Sequence, residues 1–200
     1  MQWLKLKKKQ LLFGIVQGGI YNDLRKQSLE QITSLDFSGY ALGGLAVGEQ
    51  REDMYKVLKA ITPQMPADKP RYLMGLGRPE EIVFAVKQGI DMFDCVIPTR
   101  EARHGRLYQF CTQGQKGAIK LWGNVYYKTF NATNEKFKED YSSINPKSKV
   151  KLLKAHSKAY LHHLFKTQEG LGLRLATLNN LEFYLDLMVQ IRNSIKSNKL

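Results

Sequence analysis

Asp94 is the residue in this sequence best placed to do chemistry. It sits in D-M-F-D-C-V-I-P-T-R-E-A-R-H-G, residues 91–105, where an apolar run carries one acid and ends in a Pro-Thr turn. Arg100 and Arg103 follow on what reads as a doubly basic loop. A strand that delivers a carboxylate to its C-terminal end, beside cations on the next loop, has the layout of a barrel site acting on a phosphorylated polymer. The plainer alternative is an Asp that caps a turn next to a solvated arginine pair. These residues alone leave both open.

The segments that must position Asp94 alternate regularly from Leu11 to Thr99. Leu11–Val16 is a short apolar, β-prone run ending at Gln17-Gly18-Gly19. Helical spacing follows from Tyr21 to Leu35, with Leu24, Ser28, Ile32 and Leu35 on one face. Tyr40–Leu42 predicts a second strand that breaks at Gly43-Gly44. Arg51–Ile61 predicts a helix, with Met54, Val57, Leu58 and Ile61 inside. Arg71–Met74 is a third strand closed by Gly75 and Gly77, and Pro79 suits the first position of a helix through Val86. The fourth strand is expected over Met92–Ile97. Four strands with helices between them imply parallel pairing through right-handed crossovers, each strand apolar on both faces. Ligand sites in such folds lie outside the carboxyl ends of the strands. Glycines there let a flat ligand approach the backbone, although each Gly pair alone reads as a turn device. Four βα units are half of an eight-stranded barrel, and a small open α/β sheet is the alternative. No phosphate-cradling glycine motif follows the first strand, which weakens a nucleotide-cofactor reading.

The second half differs in character. Residues 107–148 interleave lysines with Tyr108, Phe110, Trp122, Tyr126, Tyr127, Phe130, Phe137 and Tyr141. Such a stretch reads either as a stacking and phosphate-binding surface or as an irregular β-rich insertion whose aromatics form its own small core. Lys149–Gly170 is expected to be one helix with Leu152, Leu153, Tyr160, Leu161 and Leu164 inside. Asn180–Ile195 is expected to be a second, capped by Asn179 or Asn180. His162 and His163 are neighbours on different faces, weak evidence for a metal. The domain reading is therefore 1–106 for the α/β part, 107–148 for the insertion and 149–200 for a helical end.

Composition sets the company this chain keeps. The net charge is +13 and the pI about 9.7, which points to a polyanion, nucleic acid ahead of a membrane surface. Residues 1–103 hold 15 Lys/Arg against 12 Asp/Glu, whereas residues 104–200 hold 16 against 6. A nucleic-acid backbone is thus expected on the second half. No apolar run approaches the roughly 20 residues of a membrane span, and M-Q-W-L-K-L-K-K-K-Q has no signal-peptide core. Cys95 and Cys111, without metal-ligand spacing, suit a reducing cytoplasm.

L-F-G-I-V-Q-G-G, Y-A-L-G-G-L-A-V-G-E, R-Y-L-M-G-L-G, D-M-F-D-C-V-I-P-T-R and Y-L-H-H-L-F together carry a specific resemblance. In order and in spacing, through Arg103 and again from about Tyr141 to Met188, they resemble the C-terminal half of bacterial tRNA-guanine transglycosylases. This is the queuine or pre-queuosine base tRNA-ribosyltransferase family. The resemblance implies a TIM barrel with an inserted zinc-binding subdomain, and exchange of the wobble guanine of a tRNA anticodon for a 7-deazaguanine. It gives Asp94 the role of nucleophile on ribose C1′. Gln17, Gly43, Gly44, Leu45 and Met74 would bind the base. Gly75, Leu76, Gly77, Arg78, Pro79, Glu80 and Glu81 would form an RNA-contacting loop. Thr99, Arg100, Glu101, Ala102 and Arg103 would read the anticodon loop.

Three departures accompany the match. The family's N-terminal half, with a D-S-G-G-like acid/base and a second base-recognising Asp, has no counterpart in these residues. The positions of the four zinc ligands hold Ser148, Val150, Leu153 and Asn179, none a thiolate or imidazole, so no metal and no other cofactor is expected. The segment after Arg106 is longer than the family's, and Glu101 places a negative charge among the anticodon-reading residues. The expected partners are tRNA, a guanine-type base, and either an N-terminal half or a second copy, in the cytoplasm. A non-catalytic tRNA-binding subunit and a decayed fragment of the enzyme are the alternative readings.

Overall fold

A computed structural model describes residues 10–45, 47–111 and 125–198. The N-terminal basic stretch before Gln10, Trp122 and the last two residues, all used in the sequence reading, lie outside the described residues. The chain divides into two compact units, Met1–Cys95 and Val96–Leu200.

The first unit is a parallel sheet in the order β1-β2-β3-β4, formed by Phe13–Val16, Gly39–Leu42, Arg71–Leu73 and Met92–Phe93. Helices α1 (Asn22–Thr33), α2 (Arg51–Ile61) and α3 (Pro79–Lys87) connect successive strands. Sequential order means that each crossover adds a strand to the same side, the arrangement expected of repeated βα units. Strand β2 is buried along its whole length, as the reading of two covered faces requires. Strands β1 and β4 are not: Ile15 and Met92 are exposed, and among the described residues each strand has a neighbour on one side only. The core joins Val16, Leu42, Leu58, Ile61, Leu73 and Ile90, all essentially inaccessible to water. Each such side chain contributes about 1.5–3 kcal/mol relative to an exposed one.

Two expectations about this region are corrected. Helix α1 turns Arg25 and Leu29 inward and leaves Leu24 on the surface, so its buried face is rotated from the one that the apolar spacing suggests. Strand β4 ends at Phe93. Ile97–Arg103, expected as strand end and loop, is helix α4, with Val96 already in a helical conformation and Pro98 in the first turn, where its missing amide costs nothing.

The second unit pairs β5 (Arg106–Phe110) antiparallel with β6 (Tyr127–Asn131). Tyr108, Phe110 and Tyr127 pack on Phe183, with ring centroids 4.4–5.8 Å apart. Tyr108 and Phe183 are buried and Phe110 and Tyr127 half-buried, so these aromatics pack on a helix rather than only within the insertion. The single helix expected over Lys149–Gly170 is two, α5 (Lys151–Ala155) and α6 (Lys158–Lys166). The chain breaks between them because Ser157 turns extended, caps α6 by accepting from the Tyr160 amide, and lets the His156 carbonyl accept from Ile144. Leu152 and Tyr160, expected inside, are exposed. The last helix, α7, runs from Gly170 to Lys196, ten residues earlier than the capping signal at Asn179–Asn180 indicates. Those asparagines are buried in its middle. Among the described residues no helix is long and apolar enough to cross a membrane.

Candidate active site

The C-terminal edge of the parallel sheet gathers two clusters of polar groups. The first is built on Asp94, immediately after β4. Tyr72 of β3 donates its hydroxyl to Asp94 Oδ1 at 2.5 Å, and the Gly75 amide donates to the same oxygen at 2.9 Å. Tyr72 pairs with Met92 in the sheet, so Asp94, two residues on, projects from the same face. The Tyr72 ring is set edge-on against Phe13 at 6.4 Å, which limits where its hydroxyl points. The tyrosine donor and then the Gly75 amide hold the Asp94 carboxyl below the usual carboxylate range. The same bond, with burial, pushes the Tyr72 hydroxyl up to about 12, so it stays a donor at neutral pH. The result is an accessible carboxylate that remains ionised.

The second cluster joins the ends of β1 and β2. The backbone amide of Gln17 donates to Ser28 Oγ at 3.1 Å, fixing the residue where the strand ends. Its side-chain amide lies across Gly43 and Gly44. A β-carbon added to Gly43 would come within 2.7 Å of Gln17 Nε2, and one on Gly44 within 2.6 Å of Oε1. Gly44 also has φ +61, a conformation that glycine adopts without strain. Gln17, Gly43 and Gly44 are thus brought together, while Leu45 is buried in the core. Met74, half-buried, follows β3 and donates its amide to Leu42 O at 3.2 Å.

Residues 75–81 are partly helix, not wholly loop, since α3 begins at Pro79. Leu76, Gly77, Pro79 and Glu81 are buried, and Gly75 and Arg78 are exposed. Glu81 accepts from the Arg78 amide at 3.0 Å and pairs with Arg51 at 3.2 Å, while Arg51 also reaches Glu80 at 3.5 Å. Burial raises the Glu81 carboxyl; that amide and Arg51 oppose the rise. In the second unit, Thr99–Arg103 lies within α4. Ala102 is buried, Arg100 and Arg103 are exposed, and the charge of Glu101 is met by Arg106 at 3.1 Å.

Comparison with known proteins bears on the whole stretch. The sequence profile of the family described as Queuine tRNA-ribosyltransferase matches residues 1–200. A curated queuine tRNA-ribosyltransferase of Pasteurella multocida (strain Pm70) is 48% identical over 195 residues, 98% of this chain and 46% of that protein. One from Haemophilus influenzae (strain PittEE) is 48% identical over 98% of this chain and 47% of its own length. One from Tolumonas auensis is 46% identical over 196 residues, 98% of this chain and 48% of that protein. This chain belongs to the queuine tRNA-ribosyltransferase family. It spans about half the length of the curated relatives it matches.

The positions that the family resemblance assigns to zinc ligands are otherwise engaged. Ser148 donates its hydroxyl to Glu182 at 2.5 Å, and the Lys149 amide donates to the same carboxylate at 2.5 Å. Leu153 is wholly buried among apolar neighbours, and Val150 packs against the same core. Asn179 donates to the Tyr108 carbonyl at 2.9 Å and accepts from Asn145 at 3.2 Å. Neither aliphatic side chain has a donor atom for a metal, so this set does not fit zinc. Among the described residues no three His, Cys, Asp or Glu side chains are grouped to hold a metal. His162 instead makes a 2.8 Å hydrogen bond from Nδ1 to the Ala132 carbonyl.

Sequence reasoning missed Tyr72, Ser28, Arg25, Asn180 and Glu182. Tyr72 was recoverable, since a register pairing β3 with β4 puts it on the face of Asp94. The others act across 6 to 82 residues and left no local signal.

Proposed function

We propose that this chain carries the nucleophile and base-binding edge of a tRNA-guanine transglycosylase. The observation that carries the reading is the accessible carboxylate of Asp94, held ionised by Tyr72 and Gly75, on the same sheet edge as Gln17, Gly43 and Gly44. In the reaction proposed, Asp94 attacks C1′ of the wobble nucleotide as the C1′–N9 bond breaks, giving an ester to the tRNA and free guanine. A 7-deazaguanine, losing its proton as it attacks, then displaces Asp94 from C1′. One carboxyl group cannot be the ionised nucleophile and also protonate the departing base. A second acid is therefore needed, from residues beyond this stretch or from another chain. The exposed edges of β1 and β4 are where further βα units would pair to complete a TIM barrel.

The basic residues of 104–200, with Arg100 and Arg103, are read as the grip on the tRNA backbone and anticodon loop, in a cytoplasmic setting. The zinc-ligand positions are read as a metal-free substitute held by hydrogen bonds and apolar packing. The test is incorporation of labelled guanine into tRNA by this chain mixed with the N-terminal half of a relative. Exchange by the mixture and none by that half alone is expected. Tight tRNA binding with no exchange in the mixture would favour a non-catalytic subunit.

A further inference from the structure

Arg25 is a full positive charge that the mechanism above does not use. It is wholly buried in the first unit, where an unsatisfied guanidinium would be strongly destabilising. Its donors are satisfied by backbone. Nε–H donates to the Gly19 carbonyl at 2.6 Å and Nη1 to Val16 at 3.3 Å, while Nη2 donates to Gly43 at 3.0 Å and Gly44 at 3.3 Å. All four acceptors lie at the two strand ends that carry Gln17 and Gly44. Burial lowers the guanidinium's pKa, and the charge of Glu49 nearby opposes the fall.

We propose that Arg25 is the positioning residue of the base-binding edge, clamping the ends of β1 and β2 so that their amides keep one orientation toward the base. The inference rests on the reading of Gln17 and Gly44 as base-binding. In a trans peptide the C=O and the following N–H point in opposite directions. Turning the Gly43 and Gly44 carbonyls onto Arg25 therefore aims the N–H groups of Gly44 and Leu45 the other way. Two amide donors so fixed favour a base that presents a carbonyl oxygen over one that presents an amino group. Glycine-rich ends need such a clamp because glycine has the most backbone freedom to lose. The coupling is also steric. A β-carbon on Gly18 would lie 2.8 Å from Arg25 Cγ, so the arginine stem needs a glycine there. Lysine cannot replace it, because its three donors radiate from one nitrogen and cannot span four carbonyls.

The test uses the full chain and two soluble probes, 7-aminomethyl-7-deazaguanine and 7-deaza-2,6-diaminopurine, titrated while backbone and side-chain amide signals are followed by NMR. Wild type is expected to bind the oxo base preferentially, with shifts at Gly44, Leu45 and the Gln17 side chain. Arg25→Lys is expected to weaken oxo-base binding tenfold or more and to reduce the preference over the diamino base by at least as much. A merely structural arginine would leave that preference unchanged in whatever protein stays folded. A folded Arg25→Lys chain with wild-type affinity and preference overturns the inference and leaves the base-binding reading standing. If wild type binds neither probe, the base-binding reading falls and takes the inference with it. Where Arg25→Lys does not fold, the wild-type guanidinium signals decide. Hydrogen-bond coupling from Nε–H to the Gly19 carbonyl, with a shift on adding the oxo base, supports the clamp. A freely rotating guanidinium that ignores the base overturns it.

Discussion

The two units put their polar side chains to opposite uses. In the first unit, the strand ends keep their polar side chains open: Asp94 and Gln17 are exposed, supported from beneath by Tyr72, Ser28 and Arg25. In the second unit, Asn179, Asn180, Ser148 and His162 are buried and each is bonded to backbone or to another side chain. Asn180 alone accepts from the Tyr108 amide and donates to the carbonyls of Pro98 and Arg106, tying α7 to β5 and to the start of α4. The difference teaches where a polar residue signals function. A polar group that is held but accessible can meet a ligand. One whose hydrogen bonds are all made inside the protein holds the fold or, like Arg25, positions its neighbours.

The contrast can be broken most forcefully at Asn180. Replacing it with alanine removes three hydrogen bonds to backbone, two of them buried, and at about 1 kcal/mol each the loss should be about 3 kcal/mol. Thermal melting should show that loss, and NMR should confine it to residues 96–198. A change under about 0.5 kcal/mol would mean that the amide is not what holds α7.

Arg100 and Arg103 come next in size. Each phosphate contact removed should lower the log–log salt slope of tRNA binding by roughly 0.7 to 0.9. Alanine at both should therefore flatten the slope without unfolding α4, since both side chains are exposed. An unchanged slope would take the anticodon-reading role away from this helix.

Tyr72→Phe sharpens the comparison from the other unit. The tyrosine hydroxyl stabilises the ionised Asp94, so its folded pKa is depressed. Whatever stability this brings is present above the ordinary carboxylate range and lost as the pH falls through the folded pKa. Without the hydroxyl the Asp94 carboxyl should titrate higher, visible in its carbon chemical shift, and the acid limb of any transfer activity should move to higher pH. An unmoved titration would show that Gly75 alone holds the charge.

The smallest effect is expected of a chelator. With Ser148, Val150, Leu153 and Asn179 at the positions that the resemblance assigns to zinc ligands, washing the chain with EDTA should leave its melting midpoint in place and release no stoichiometric zinc. A clear drop would restore a metal to this unit.

Much of the first unit was legible because its signals are local. The Arg51–Ile61 helix agrees to the residue, and the glycines after each strand marked the edge on which Gln17, Gly44 and Asp94 now sit. What failed was decided by distant partners. Asn179 and Asn180 look like a helix cap in sequence, yet their amides serve β5 and α4 and the helix runs through them. Arg25 looks like a surface residue of an amphipathic helix until four carbonyls from two strand ends are placed around it. The Met92–Ile97 strand was cut short because Val96 and Pro98 could enter a helical turn as easily as continue a strand.

The central claim is that Asp94 forms the bond to the tRNA. Its most direct test is denaturing electrophoresis of the exchange-competent assembly with labelled tRNA, comparing wild type with Asp94→Asn. Wild type should yield a covalent protein–tRNA band that disappears on adding excess base, and the Asn variant should yield none, because a neutral amide does not attack C1′. A covalent band of wild-type intensity from Asp94→Asn would contradict the account.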